Sequence, residues 1–194
     1  MRSIFATQYT TFETVAGVCS IAWNDDAISC FQLPSSKPDD IELWRKRRVP
    51  HASRAAPHSR VRPLIDEAIR YFRGEAIDFT DTPIDLRGQS EFFAAIYGAL
   101  RRVPYGQTTT YGELARSIGS GAERSREVGV AMAVNPLPLI IPCHRVLAAG
   151  GRLSGFSAPG GKEAKAWMLR LEGVAVECSP ATREPSEAQT SFAF

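Results

Sequence analysis

A thiol, an imidazole and a guanidinium stand side by side at Cys143-His144-Arg145, directly after the apolar run Leu139-Ile140-Ile141-Pro142. The thiol could serve as a nucleophile. A free cysteine has a pKa near ~8.5 and is only a few per cent thiolate at neutral pH, so a nearby base or cation must raise the reactive fraction. His144 is the nearest base in sequence. The competing reading is a buried structural cysteine beside an incidental histidine. Geometry limits direct pairing: were the apolar run to continue as a strand, Cys143 and His144 would point to opposite faces. Pairing then requires a turn at Pro142-Cys143, or a water between the two side chains. An imidazole used as a base also needs orienting, and Glu172 is the carboxylate candidate.

The other three cysteines differ in setting. Cys19 and Cys30 fall in apolar, β-prone stretches and read as core; Cys178 lies near the end without a partner in sequence. No CxxC pair occurs, so neither a disulfide scaffold nor a zinc ribbon is expected. The reading is a cytoplasmic chain with reduced thiols and no metal. Its 194 residues, 44% hydrophobic and 23% charged, suit one ordinary domain or two small ones. No apolar run approaches the ~20 residues of a membrane helix, and the start lacks a secretory pattern. The net charge of +2 divides unevenly: −1 over residues 1–91, +5 over 92–173 and −2 over 174–194. The middle segment is where an anionic partner would bind, a solvated basic surface being the alternative.

The elements that must position these groups can be read from periodicity. Residues 12–33 read as a hairpin turning at Asn24-Asp25-Asp26. Asp39 to Arg48 reads as a short helix whose basic end, Arg45-Lys46-Arg47-Arg48, faces solvent in preference to nucleic acid. Val61 to Phe72 has apolar residues at helical spacing and Gly74 as its stop. Ile77 to Leu86 reads as an edge strand or extended linker, and the domain boundary is placed there. Phe92 to Val103 gives a second amphipathic helix. Thr110-Tyr111-Gly112-Glu113 fits a capping box that opens a third. Ser120-Gly121-Ala122 then leads to a helix from about Glu123 to Val134, stopped by Asn135-Pro136. This is the outline of a helix-turn-helix inside the basic segment. Leu139 to Ile141 reads as a short buried strand, followed by a Gly-rich loop. Lys162 to Leu171 forms a last helix with Ala164, Met168 and Leu171 inward. Residues 174–194 read as a tail, disordered where Ser, Glu, Thr and Pro accumulate.

The stretch Asn135-Pro136-Leu137-Pro138-Leu139-Ile140-Ile141-Pro142-Cys143-His144-Arg145-Val146 resembles the active-site signature of O6-alkylguanine-DNA alkyltransferases. Pro104-Tyr105-Gly106-Gln107-Thr108 and Tyr111-Gly112-Glu113-Leu114-Ala115 are similar to the family's entry into its helix-turn-helix. Arg126 to Met132 resembles its recognition helix, and Leu169 to Gly173 its closing helix. The likeness is close over residues 86–173 and only in outline over 1–85.

The resemblance implies an α/β, RNase H-like amino-terminal domain with a small antiparallel sheet. A mostly helical, winged-helix-like carboxy-terminal domain over 86–173 would follow it. It implies a monomer that repairs O6-alkylguanine, and O4-alkylthymine, in duplex DNA without a cofactor. Cys143 would accept the alkyl group and be spent. His144, through a water, and Glu172 would draw off its proton, and Tyr111 would assist the departing guanine at N3. The base must be flipped out to be reached. Arg126 would fill its space from the minor groove, with Ser125, Gly129 and Val130 on the same surface. Asn135 would brace the turn before the site; Pro138, Phe156 and Ser157 would line the pocket. Glu127 and Val130 stand where the family carries smaller residues, and Glu127 opposes phosphate contact unless it turns away or pairs with Arg124. Phe156 stands for a common tyrosine. A lesion-binding relative without transfer is the alternative, but such proteins lack the acceptor cysteine. A zinc-bearing regulator and a generic cysteine hydrolase find less support in these residues.

Overall fold

The computed structural model describes residues 4–176; most of the expected tail, and Cys178, lie outside the described residues. The chain begins with three strands, β1 (Gln8–Thr14), β2 (Gly17–Trp23) and β3 (Ile28–Ser35), in an antiparallel meander. The hairpin expected from residue 12 is therefore one strand larger. β1 is mostly half-buried and rich in Thr, so its β-branched residues carry no apolar alternation to read. Both turns are closed by side chains. Thr14 Oγ1 accepts from Ala16 N at 3.2 Å, and Asn24 Oδ1 accepts from Asp26 N and Ala27 N, each at 3.0 Å. Gly17, at φ 124°, is required there, because a Cβ would sit 2.8 Å from Ser35 O.

The helix α1 (Pro38–Arg48) returns along the sheet, and a two-residue strand β4 (Ser53–Arg54) adds parallel to β1. The sheet order is β3-β2-β1-β4. Successive residues of β2 are buried on both faces. Ala22 and Cys30 pack with Trp44, Val49 and Ala52 under α1, while Ile21, Trp23 and Phe31 join the main core. α2 (Arg62–Phe72) covers that second face with Leu64, Ile65, Ala68, Tyr71 and Phe72. The expected edge strand over 77–86 is an extended connection that pairs with the sheet through a single bridge, Ile84 to Ile28, among the described residues. Pro83 gives no donor there, and its carbonyl accepts from Ile28 N at 3.1 Å.

The second half is helical: α3 (Glu91–Arg101), α4 (Tyr111–Ser117), α5 (Ser125–Ala133) and α6 (Gly161–Leu171). Ser90 caps α3, and the capping box at Thr110 and Glu113 opens α4 as its sequence predicts. A turn of 3₁₀ helix at Ala122–Arg124 joins α4 to α5. A two-stranded parallel ladder, β5 (Thr109–Thr110) with β6 (Val146–Leu147), ties the start of α4 to the segment after Cys143. One continuous apolar core runs from the sheet through α2 and α3 to Ile140, Val146 and Met168. Among the described residues no helix is long and apolar enough to cross a membrane.

Candidate active site

The segment expected to be a strand at Leu139–Ile141 is a tight turn. Pro136 and Pro138 supply no N–H, so a ladder cannot form, and the backbone groups are satisfied locally. Asn135 Nδ2 donates to Ile141 O at 2.9 Å, its Oδ1 accepts from Leu137 N at 3.0 Å, and Ile141 N donates to Leu137 O at 2.8 Å. Leu139 is held at φ 80°, the sole non-glycine residue with positive φ among the described residues. From the other half of the chain, Phe31 N donates to Pro136 O at 2.9 Å. Replacing Asn135 with alanine removes both side-chain bonds and strands a buried acceptor and donor. The expected cost is about 1–3 kcal/mol, read as a lower midpoint in urea. An unchanged midpoint would mean that the two prolines hold the turn alone.

The turn delivers Cys143 to a 3₁₀ segment, Cys143–Arg145. Neighbouring side chains on that segment diverge without facing opposite ways, so His144 points into the core while Cys143 borders a cavity. His144 is fully buried, and its Nε2 lies 2.8 Å from Glu172 Oε1. A carboxylate only accepts, so the proton sits on Nε2 and the lone pair on Nδ1. Nδ1 is buried and has no protein hydrogen-bond partner among the described residues. Arg145 Nε donates to Glu172 Oε2 at 2.9 Å and its Nη2 to Oε1 at 3.0 Å; Gly106 N adds a 3.2 Å bond to Oε2. Burial opposes ionisation of Glu172, but bonds from His144 and Arg145 overcome it and hold the carboxyl at about 2. Burial pushes His144 below its ordinary value against the pull of Glu172, so the imidazole rests neutral. Burial also pushes the Cys143 thiol up, opposed by a hydrogen bond from Asn135 and by the charge of Lys165. The thiol therefore rests protonated and needs a base.

The cavity beside Cys143 has a volume of about 360 Å³. Met132, Asn135, Pro138, Phe156 and Ser157 line one side. Ser157 Oγ donates to Ala133 O at 3.0 Å, fastening its loop to the end of α5. The opposite wall was not read from sequence. It is one face of α1, Asp40, Leu43, Trp44 and Arg47, at the i, i+3, i+4 and i+7 spacing that puts them in line. Of the basic run expected to face solvent, Arg45 and Lys46 pair with Glu42, whereas Arg47 and Arg48 border this cavity.

Tyr111 does not line that cavity. Its hydroxyl lies 2.8 Å from Ser154 Oγ, which accepts from Lys165 Nζ at 2.9 Å. Lys165 also donates to Val146 O and is fully buried. Burial lowers it to about 8, although the Cys143 charge pulls the other way. An ammonium only donates, so Ser154 can turn its own hydrogen to the Tyr111 oxygen and leave the phenol hydrogen free. Neither Lys165 nor Ser154 stood out in the sequence, because a lysine on an amphipathic helix is expected outside. The inward face of α6 is Lys165, Ala166, Met168 and Leu169, with Ala164 and Leu171 only half-buried.

On α5, Val128, Ala131 and Met132 face the core. Arg126, Gly129 and Val130 fall on the outer face at i, i+3 and i+4; Arg126 is exposed and Val130 is 55% exposed. Ser125 is half-buried, its hydroxyl donating to Ala122 O. Glu127 is held by Arg124, whose Nε lies 2.8 Å from its Oε1, and the Arg124 guanidinium sits 3.7 Å from the Phe92 ring centroid. Of the two alternatives, turning away or pairing with Arg124, the acid takes the pairing.

Residues 91–174 match the family model described as 6-O-methylguanine DNA methyltransferase, DNA binding domain. A methylated-DNA–protein-cysteine methyltransferase of Mycolicibacterium paratuberculosis is 34% identical over 167 residues, covering 85% of this chain and 92% of that one. A Thermus thermophilus protein named DNA base-flipping protein is 44% identical over 110 residues, 56% of this chain and 71% of its own. The solved structure of Mycobacterium tuberculosis OGT in complex with DNA is similar with a TM-score of 0.71 at 30% identity. That likeness covers 86% of this chain and 92% of the other.

Proposed function

The chain belongs to the methylated-DNA–protein-cysteine methyltransferase family, and from that premise we propose that it repairs O6-alkylguanine in duplex DNA by moving the alkyl group to its own Cys143. The observation that carries this reading is a buried thiol on a rigid turn, bordering a cavity. Beside it is a histidine oriented by a carboxylate, with its free lone pair on the nitrogen that faces no protein partner among the described residues.

The thiol proton passes, through a bridging water, to Nδ1 of His144, and Glu172 stabilises the imidazolium that forms. The sulfur attacks the alkyl carbon; the S–C bond forms as the C–O6 bond breaks. Guanine leaves as a neutral base if N3 gains a proton, which Tyr111 supplies. Lys165, eased towards deprotonation by burial, returns that proton through Ser154. The thioether that results has no electrophilic carbonyl for water to attack, so each molecule acts once. O4-alkylthymine offers the same electrophilic carbon and is a second substrate of the reading.

Residues 86–173 would carry DNA recognition and transfer, and residues 1–85 the supporting domain. The α4–α5 pair acts as the helix-turn-helix, with α5 in the minor groove. A flipped nucleotide costs a few kcal/mol of stacking and pairing, and Arg126, exposed and without an ion pair among the described residues, would occupy its place. Gly129 allows close approach, while Val130 adds an apolar contact. The work would be done on cytoplasmic or nucleoid DNA by a monomer.

Replacing Arg126 with alanine should slow repair of an O6-methylguanine duplex by about tenfold or more, a loss of ~1.4 kcal/mol or greater. Reaction with free O6-benzylguanine should be almost unchanged. Equal losses on the two substrates would sink the intercalating role. The reading as a whole is tested by mixing the protein with a duplex carrying one O6-methylguanine and taking intact and peptide masses. One methyl on the Cys143 peptide, stopping at one per protein, is expected. A retained duplex without an adduct would point instead to lesion binding without transfer.

A further inference from the structure

We propose that Tyr71, on α2 in the amino-terminal half, is a positioning residue for the relay. Its hydroxyl, given to Glu172 Oε1, fixes the carboxylate and sets how much of its charge is left for His144. The inference rests on the reading in which His144 takes the Cys143 proton.

Tyr71 is fully buried. Its ring packs edge-on against Phe72, Tyr105 and His144, at centroid distances of 5.2, 6.1 and 6.4 Å. The hydroxyl lies 2.7 Å from Glu172 Oε1 and 3.3 Å from His144 Nε2. The nitrogen already spends its hydrogen on Glu172, and a carboxylate cannot donate, so the phenol hydrogen goes to Oε1. Burial and the facing carboxylate keep the phenol protonated far above its ordinary value, which makes Tyr71 a permanent donor.

The carboxylate is consequently shared among more donors than orientation of one imidazole needs. Oε1 receives Tyr71, His144 and Arg145; Oε2 receives Arg145 and Gly106. Each donor draws charge from the group that must stabilise the imidazolium. The other ionisable groups facing the relay are Arg145 on its own turn, Lys165 from α6, Tyr105 from the connection after α3, and Cys143 itself. Asp78, from the connection after α2, acts on Arg145. The two cations push the proton off His144, and Glu172 is the anion that holds it. Removing one donor from Glu172 therefore raises the basicity of His144. Since the imidazole must be neutral to accept the thiol proton, the acid limb of the reaction moves to higher pH.

The test measures guanine release from free O6-benzylguanine between pH 5 and 9, which leaves DNA binding out. The probe proteins are the full chain, Tyr71→Phe, and the full chain carrying 3-fluorotyrosine at position 71. Fluorination keeps the shape but makes the hydroxyl a stronger donor. The midpoint of the acid limb should rise by about half to one pH unit in Tyr71→Phe, and fall with 3-fluorotyrosine. A midpoint unmoved in Tyr71→Phe overturns the proposal, whatever happens to the plateau, because a merely packing role scales the rate at all pH values alike. If Tyr71→Phe does not fold, the fluorinated protein decides alone: a lower midpoint supports the role and an unmoved one overturns it. Failure of the unmodified protein to release guanine overturns the transfer reading itself, and this role with it.

Discussion

Cys143→Ser is expected to leave a protein that folds and binds duplex DNA but takes no methyl group. The proton on the sulfur decides the outcome. Burial already pushes the Cys143 thiol above its ordinary value, so little thiolate exists at rest and the relay must remove the proton as sulfur attacks. A serine hydroxyl is a far weaker acid, and its oxygen is a poorer nucleophile towards carbon. Loss of a nucleophile in other relay systems reduces rates by a factor on the order of 10⁶; here the transfer should fall below detection by mass. Serine fills nearly the same volume on the same 3₁₀ turn. That turn is held by backbone bonds, Cys143 N to Ile141 O at 2.7 Å and Arg145 N to Pro142 O at 2.9 Å, which the substitution does not touch. Binding to a lesion-bearing duplex should therefore stay within about threefold, less than 1 kcal/mol. A methyl found on the introduced serine, or on Cys19 or Cys30, would overturn Cys143 as the acceptor that the relay requires. Those two thiols are buried in the sheet and pushed up, Cys30 to about 12, which disfavours them as nucleophiles.

What could be read in advance followed the periodicity of each segment. α2 and α3 declare themselves by apolar spacing, and α4 by its capping box, because local rules decide those elements. The turn before Cys143 did not, since Leu139-Ile140-Ile141 is as apolar as any buried strand. Only the prolines at 136 and 138, and Asn135 spending both ends of its amide on the backbone, mark it as a turn. Cys143 and His144 are adjacent in sequence and were visible together. Glu172 was a candidate that linear order could not bring to His144, and it arrives because α6 packs its end against the 3₁₀ turn. Tyr71 escaped entirely: on α2 it looks like one more core aromatic. The available signal was that a buried phenol needs a partner for its hydroxyl. Lys165 escaped for the converse reason, since an inward lysine contradicts the usual helix pattern.

Both halves of the chain build the site, which gives sense to the buried charge at its centre. Glu172→Gln should cost transfer about 10²- to 10⁴-fold, by analogy with a relay that loses its orienting carboxylate, with stability falling as well. A glutamine amide keeps the shape but places an NH₂ where donors already point. Arg145, 5% exposed, loses its counter-charge, and a buried ion left alone costs about 3–5 kcal/mol. The pH dependence separates this from a packing defect. The Glu172 carboxyl titrates at about 2 in the fold against an ordinary 4.5, so its stabilisation is fully present above pH 4.5 and is lost as pH falls through about 2. The stability gap between the two proteins should be level from about pH 5 to 7 and narrow steadily below 4.5. A gap that stays constant down to about pH 2.5 would mean that the charge of Glu172 contributes nothing to the fold. A variant that transfers within threefold of the parent rate would mean that His144 needs no carboxylate, and the relay would have to be redrawn around Lys165, whose charge already acts on Cys143.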